Sequence, residues 1–132
     1  MHFCYNKCIY ILVLFMINTL IELAIEAGMV IRETYESGKF RTYIKSDNSP
    51  VTTADEKANE IILRVLEQQF PKIPAISEES ENRVLDIGKF FIIDPLDGTR
   101  GFLNKTNNFT VNIGFINNWE PELGVIYSPI SG

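Results

Sequence analysis

Histidine is almost missing from this chain: among 132 residues the only one is His2. Serine–histidine–aspartate hydrolysis, histidine phosphotransfer and histidine-rich zinc sites therefore have no residues to work with. Cysteine is scarce too, at Cys4 and Cys8. No arginine stands at the spacing a cysteine-dependent phosphatase needs, and no G-x-x-x-x-G-K phosphate loop occurs. Without a second pair to complete a metal site, reduced thiols in a reducing compartment are expected, with one disulfide or half a metal site as the alternatives. The 12 basic residues against 17 acidic ones leave a net charge of -5 and no basic cluster, which argues against binding along a nucleic-acid backbone. A small phosphorylated ligand stays compatible where a metal supplies positive charge locally.

A bilayer-length apolar run is also lacking on a plain count. Ile9 to Ile17, preceded by Lys7 and followed by Asn18, Thr19 and Glu22, falls short of the roughly 20 residues that cross a membrane. No integral span is expected. Glu22 and Glu26 lie where a signal peptide would carry a small-residue cleavage region. Residues 1–15 thus read as an apolar extension, with translation expected to start at Met16, and residues 16–132 as one domain or part of one.

The remaining pattern alternates helices and strands. Ile17, Leu20, Ile21, Ala24, Gly28 and Ile31 recur at helical spacing, predicting a long amphipathic helix that ends near Ser37-Gly38. From Phe40 to Thr53 the pattern breaks into a hairpin or loop, with Pro50 preventing a continuous helix. Thr53 and Glu56 fit a capping box, and Ala58, Ile61, Ile62, Val65, Leu66 and Phe70 form the apolar face of a second helix stopped at Pro71. Asp55 falls in its first turn, where a carboxylate also complements the helix dipole. Ile73 to Ile76 is a short apolar strand, and a polar loop from Ser80 to Gly88 follows. Phe90 to Ile93 is a buried strand, and Phe109, Val111, Ile113 and Phe115 alternate along another. After a turn at Asn117 to Pro121, Leu123 to Tyr127 returns antiparallel. Helices on one side of a mostly antiparallel sheet make an α+β layer.

The carboxylates gather at strand ends. Asp94-Pro95-Leu96-Asp97-Gly98-Thr99 follows an apolar strand, and Pro95 is expected to stop its ladder. Two hard anionic ligands on a turning backbone can converge on a divalent cation, while Gly98 and Thr99 offer N–H groups to an anion if a helix begins there. An ordinary acidic turn is the other reading. An aspartyl-phosphate D-x-D pair is excluded because two residues separate Asp94 from Asp97, and an EF-hand fails at Leu96 and Lys105. Glu78 and Glu79 end the strand that finishes at Ile76. Without a cation this cluster should repel itself and be loose or partly protonated.

In this order and spacing, Ser49-Pro50-Val51-Thr52-Thr53-Ala54-Asp55, Ile76-Ser77-Glu78-Glu79-Ser80 and Asp94 to Thr99 resemble the inositol monophosphatase superfamily of lithium-sensitive, magnesium-dependent phosphatases. Lys45 to Thr52, Asn108 to Ile113 and Gly124 to Pro129 resemble its bacterial CysQ-type branch of 3'(2'),5'-bisphosphate nucleotidases. The likeness runs from about Met16, where the family's first helix begins, to Gly132. It implies an α+β fold, the N-terminal half of a layered α/β sandwich with two long helices on a mostly antiparallel sheet. It also implies that Glu78, Asp94, Asp97 and the backbone carbonyl of Leu96 coordinate two or three magnesium ions, with Glu79 supporting the site or a further ion. Asp55 and Thr99 would be the catalytic pair, the Thr99 hydroxyl relaying a proton from water toward Asp55, and the Gly98 and Thr99 amides would hold phosphate. Arg100 either neutralises phosphate or forms a surface ion pair.

The implied reaction is removal of the 3'-phosphate of adenosine 3',5'-bisphosphate, giving AMP and phosphate by metal-activated water, in connection with sulfate assimilation. Inositol monophosphatase activity and an inactive metal-binding fragment are the alternatives. The implied partner is a small phosphorylated nucleotide, with no nucleic acid, and the implied place is the cytoplasm or the periphery of the inner membrane. Gly101 departs from the nucleotidase pattern, which often carries an acidic residue there. Members are also about twice as long, and their second half supplies another ligating aspartate in a W-D-x-A type motif. By itself the 132-residue chain is therefore expected to be inactive.

Overall fold

The computed structural model describes residues 2–80 and 88–132, with the side chains of the first helix described from Lys7 onward. Most of the loop expected between Ser80 and Gly88 lies outside those residues, as does the side chain of Cys4. Cys8 is a free, exposed thiol.

Helix α1 spans His2–Ser37. It does not begin near Met16 as expected, because no proline or glycine interrupts the chain before Gly28 and apolar residues propagate a helix once it is nucleated. Its buried stripe is Leu20, Leu23, Ala24, Ala27 and Ile31, extended by Thr34 and Tyr35. Ile9, Tyr10, Ile11, Leu12, Leu14 and Phe15 are exposed. By length and composition α1 contains a stretch long and apolar enough to cross a membrane, 17% of it buried. The shorter count stopped at Asn18 and Thr19, which the helix runs straight through. The helix ends where expected, at Gly38, whose left-handed φ of 65° and amide bond to the Thr34 carbonyl (3.2 Å) close the last turn.

A short hairpin follows, β1 (Thr42–Ile44) against β2 (Pro50–Thr52). It leads directly into α2 (Thr53–Gln69), which buries Ala54, Asp55, Ala58, Ile62 and Leu66. The capping box sits one residue earlier than expected: Thr52, not Thr53, is the cap, and Asp55, not Glu56, is its partner. Thr-Thr facing Asp-Glu allows both frames on paper. The frame that forms is the one in which Thr52, the last residue of β2, already has extended backbone (φ -118°, ψ 167°).

Strands β3 (Ala75–Ser77), β4 (Phe90–Asp97), β5 (Thr110–Asn117) and β6 (Glu120–Tyr127) form one sheet in chain order. Only the β3–β4 pair is parallel, so the sheet is mostly antiparallel as expected. The β5–β6 turn uses two left-handed residues, Asn118 (φ 51°) and Trp119 (φ 65°), the conformation a two-residue hairpin loop requires. Helices α1 and α2 pack on one face, against Phe91, Ile93, Val111, Ile113 and Phe115. Burial of this face supplies the main stabilisation.

Between β4 and β5 lies the five-residue helix α3 (Thr99–Leu103), too short to hold itself. Its anchor is Phe102, fully buried among Tyr35, Phe40 and Phe109 with ring centroids 5.3, 5.0 and 5.4 Å away. The Tyr35 hydroxyl donates to Asn107 Oδ1 (2.6 Å), tying the following loop to α1. Phe102→Ala is expected to cost about 3–5 kcal/mol, the range for emptying a buried aromatic site. Urea unfolding of the two proteins measures it, and a loss below about 1 kcal/mol would mean that α3 is held by something else.

Candidate active site

In a regular strand, residues three apart point to opposite faces. Asp94 and Asp97 should thus be separated by the sheet. They are not, because β4 carries a bulge: Asp94 pairs with Asn112 and Asp97 with Thr110, so three steps on β4 match two on β5. The extra residue places both aspartates on one face, while Pro95 and Leu96 turn into the interior, Leu96 being buried. Pro95 therefore interrupts the ladder without stopping it as expected, since pairing resumes at Asp97. Parallel pairing brings the end of β3 alongside, and the Glu78 amide donates to the Ile93 carbonyl at 3.0 Å.

A cleft of about 230 Å³ collects these residues. Glu78, Glu79, Asp94, Leu96, Asp97, Gly98, Thr99 and Arg100 line it, together with Lys45, Ser49 and Pro50 from the β1–β2 hairpin. Asp55 does not line it. Fully buried at the start of α2, Asp55 reaches the cleft only through Thr99, whose hydroxyl lies 3.1 Å from Asp55 Oδ1 and 3.3 Å from the Leu96 carbonyl. One hydroxyl proton serves one of those acceptors at a time. The second Asp55 oxygen accepts from the Thr52 amide at 2.8 Å and from the Thr52 hydroxyl at 2.7 Å. Burial raises the Asp55 pKa above its ordinary value, and the bonds from Thr52 and Thr99 hold the rise in check.

Asp94 carries the strongest perturbation. Burial, then the adjacent Glu78, then the charges of Asp97 and Glu79 push its pKa up to about 7. Its Oδ1 is buried with no hydrogen-bond partner among the described residues, an arrangement that costs free energy unless another group satisfies it. Hard oxygen donors with one orphaned and mutually repelling member suit a divalent cation. Among the described residues no group of three or more acidic, histidine or cysteine side chains stands close enough together to hold one ion, and like charges at this spacing call for a counter-charge.

Lys45 supplies part of that counter-charge. Its Nζ lies 3.1 Å from Glu79 Oε1 and 4.0 Å from Glu78 Oε1. Burial pushes Glu79 up in pKa and the lysine pulls it back. Burial also works against the charged form of Lys45, and the bond and charge of Glu79 prevail, leaving its pKa raised.

Of the residues proposed from sequence, Arg100 is exposed in the cleft wall and makes no salt bridge among the described residues. Gly98 needs its left-handed φ of 87°, and a Cβ there would sit 2.7 Å from the Asn108 carbonyl. At Gly101 a Cβ would crowd the same carbonyl, so a side chain there requires the backbone to shift. Three further residues bear on the site. Thr52 supports Asp55, Lys45 pairs with Glu79, and Asn112 donates to Asp97 Oδ2 at 3.2 Å. Asn112 left one trace in the sequence, a polar residue opposite the acidic end of β4, but only the register reveals the pairing.

This fold is an α+β layer with an acidic cleft at its strand ends, and comparison places it. The model of the inositol monophosphatase family matches residues 14–132, and the chain belongs to that family. It is similar to the 3'(2'),5'-bisphosphate nucleotidase CysQ of Buchnera aphidicola, at 44% identity over 119 residues, covering 86% of this chain and 44% of that protein. The CysQ nucleotidase of Salmonella typhimurium is 38% identical over 120 residues, covering 87% and 48%. Among solved structures, the extragenic suppressor protein suhB of Bartonella henselae superposes with a TM-score of 0.80 at 35% identity, covering 87% and 45%. CysQ of Bacteroides thetaiotaomicron, a member of the inositol monophosphatase family, does so with a TM-score of 0.70 at 38% identity, covering 86% and 42%. The chain spans about half the length of the curated relatives it matches.

Thr52→Ala should destabilise the protein by about 1–2 kcal/mol, the worth of a lost cap with a buried acceptor left short of donors. Thr53→Ala should stay within about 0.5 kcal/mol, as for a position outside such features. Urea unfolding of both variants is the check, and the reverse order would restore the Thr53 frame.

Proposed function

We propose that this chain carries the metal-binding portion of a magnesium-dependent phosphomonoesterase that removes the 3'-phosphate of adenosine 3',5'-bisphosphate. The observation that carries the reading is the bulge in β4, which sets Asp94 and Asp97 on one face beside the Thr99–Asp55 pair. Similarity to the bisphosphate nucleotidases of Buchnera and Salmonella supports the nucleotide as substrate, and in this reading the reaction belongs beside sulfate assimilation in the cytoplasm. An inositol monophosphate is the alternative substrate, and assay of both esters separates them.

Asp94, Asp97, Glu78 and the Leu96 carbonyl would hold two or three magnesium ions, with Glu79 in support. Bound there, the cations supply a polarised phosphoryl group, a stabilised leaving oxygen and a water of lowered pKa. The chain's own part is to place the proton. With the Leu96 carbonyl engaged elsewhere, the Thr99 hydroxyl keeps Asp55 as its acceptor, so a proton taken from water by Thr99 passes to Asp55. Thr52 fixes the far oxygen of that carboxylate, so that Asp55 Oδ1 faces Thr99 without wandering. The amides of Gly98 and Thr99 hold the phosphate, and Arg100 on the cleft wall neutralises it.

The test is phosphate release by this chain joined to the second half of the Buchnera relative. Magnesium should be required, and Asp97→Asn should slow turnover at least about a hundredfold, the scale of a lost transition-state contact. Asp55→Asn should keep magnesium binding and slow the chemical step. Undiminished activity in excess chelator, or loss of metal with turnover kept at saturating magnesium in the Asp55 variant, would overturn the assignment.

A further inference from the structure

Glu79, Asp94 and Asp97 stand in one cleft with three different kinds of partner. Glu79 has the ammonium group of Lys45 at 3.1 Å. Asp94 Oδ1 has no hydrogen-bond partner among the described residues. Asp97 has one side-chain donor among them, the neutral amide of Asn112, whose Nδ2 lies 3.2 Å from Asp97 Oδ2. Register alone would give that amide to Asp94, the residue directly opposite Asn112 on β4. The bulge brings Asp97 within reach on the diagonal, and the amide goes there.

A second bond decides which way the amide faces. Thr110, two residues earlier and so on the same face of β5, donates its hydroxyl to Asn112 Oδ1 at 2.9 Å. Turned over, the amide would set its own oxygen against the carboxylate oxygen of Asp97, one acceptor against another. The relay from Thr110 through Asn112 to Asp97 therefore runs in one direction. It ends in an N–H whose positive end faces Oδ2, so a cation bridging both oxygens of Asp97 would meet that N–H, while a cation on Oδ1 alone would not.

We propose that Asn112 is a positioning residue that makes Asp97 a one-oxygen ligand and thereby selects small octahedral cations, magnesium or manganese, over calcium. Calcium takes about six to eight oxygens and readily binds both oxygens of one carboxylate, whereas magnesium demands a near-ideal octahedron at roughly 2.0–2.1 Å. Holding one oxygen back suits the second ion and penalises the first. A neutral donor does so without cancelling the carboxylate's charge, which the lysine beside Glu79 partly does. Groups behind a metal ligand fix its orientation, and their loss commonly costs about 10–100-fold in affinity. This role rests on the reading of Asp97 as a metal ligand.

Manganese binding to the 132-residue chain, followed by the electron paramagnetic resonance signal of the free ion and with calcium added to displace what is bound, tests it. Asn112→Leu keeps much of the side-chain bulk and removes the donor. Its preference for manganese over calcium should fall at least about tenfold, with the circular dichroism of the parent retained. A preference equal to the parent's, including one left equal because both ions bind more weakly in the same measure, would overturn the role. If Asn112→Leu fails to fold, Thr110→Val decides, since it keeps the amide but frees it to turn over. There the preference should fall at least about twofold, the low end for one hydrogen bond, and no change would again overturn the role. Asp97→Asn separates this role from the metal site itself. Manganese binding weakened in Asp97→Asn, with the parent's preference kept in Asn112→Leu, removes the role of Asn112 alone. Manganese binding absent from the parent, or equal in the parent and Asp97→Asn, removes the metal site and the role with it.

Discussion

Everything at the acidic cleft depends on one extra residue in β4. Without the bulge, Asp97 would point toward the core that α1 and α2 cover, where an unpaired carboxylate is strongly disfavoured. With it, Asp94 and Asp97 share the open face, Leu96 takes the interior position and its carbonyl comes within reach of Thr99. The ladder on either side holds the irregularity in place. Phe91 and Ile93 are buried before it, and the Asp97–Thr110 pair closes it afterward. Burying and gathering carboxylates in this way is unfavourable by itself, burial first and then the neighbouring charges raising the pKa of Asp94, so the apolar burial beneath has to offset it.

The second constraint ties Asp55 to the same frame. Asp55 belongs to α2 and Thr99 to α3, and their hydrogen bond spans 44 residues of sequence. Two anchors set its length: the capping box at Thr52 fixes Asp55 at the start of α2, and the aromatic cluster around Phe102 fixes α3. Lys45 adds an adjustable element, since the β1–β2 hairpin that carries it packs beside the cleft and its ammonium group rests between Glu78 and Glu79.

Much of this was legible in the residues because periodicity and motif agreed. Helix α2, the strands around Phe91 and Ile113, and the mostly antiparallel sheet follow from apolar spacing, and the acidic segments stand at strand ends. Where the reading slipped, a local rule had two solutions or was overridden. Thr52-Thr53 facing Asp55-Glu56 admits two capping frames, and the strand leading in chooses between them. Pro95 forbids one ladder bond without forbidding the resumption of pairing at Asp97. Asn18 and Thr19 interrupt an apolar count but not a helix, so α1 runs back to His2. Lys45 carries no local signal of its role and Asn112 only its polarity in an alternating strand, because their partners, Glu79 and Asp97, are brought near only by tertiary folding.

The proposed divalent-cation site depends on the bulge in β4. Anomalous diffraction from crystals of the protein grown with manganese, a stand-in for magnesium with the same preference for oxygen donors, measures this directly. The strongest anomalous peak should lie between the Asp94 and Asp97 carboxylates with the Leu96 carbonyl in contact. A peak elsewhere on the protein, or no peak at saturating manganese, would contradict it.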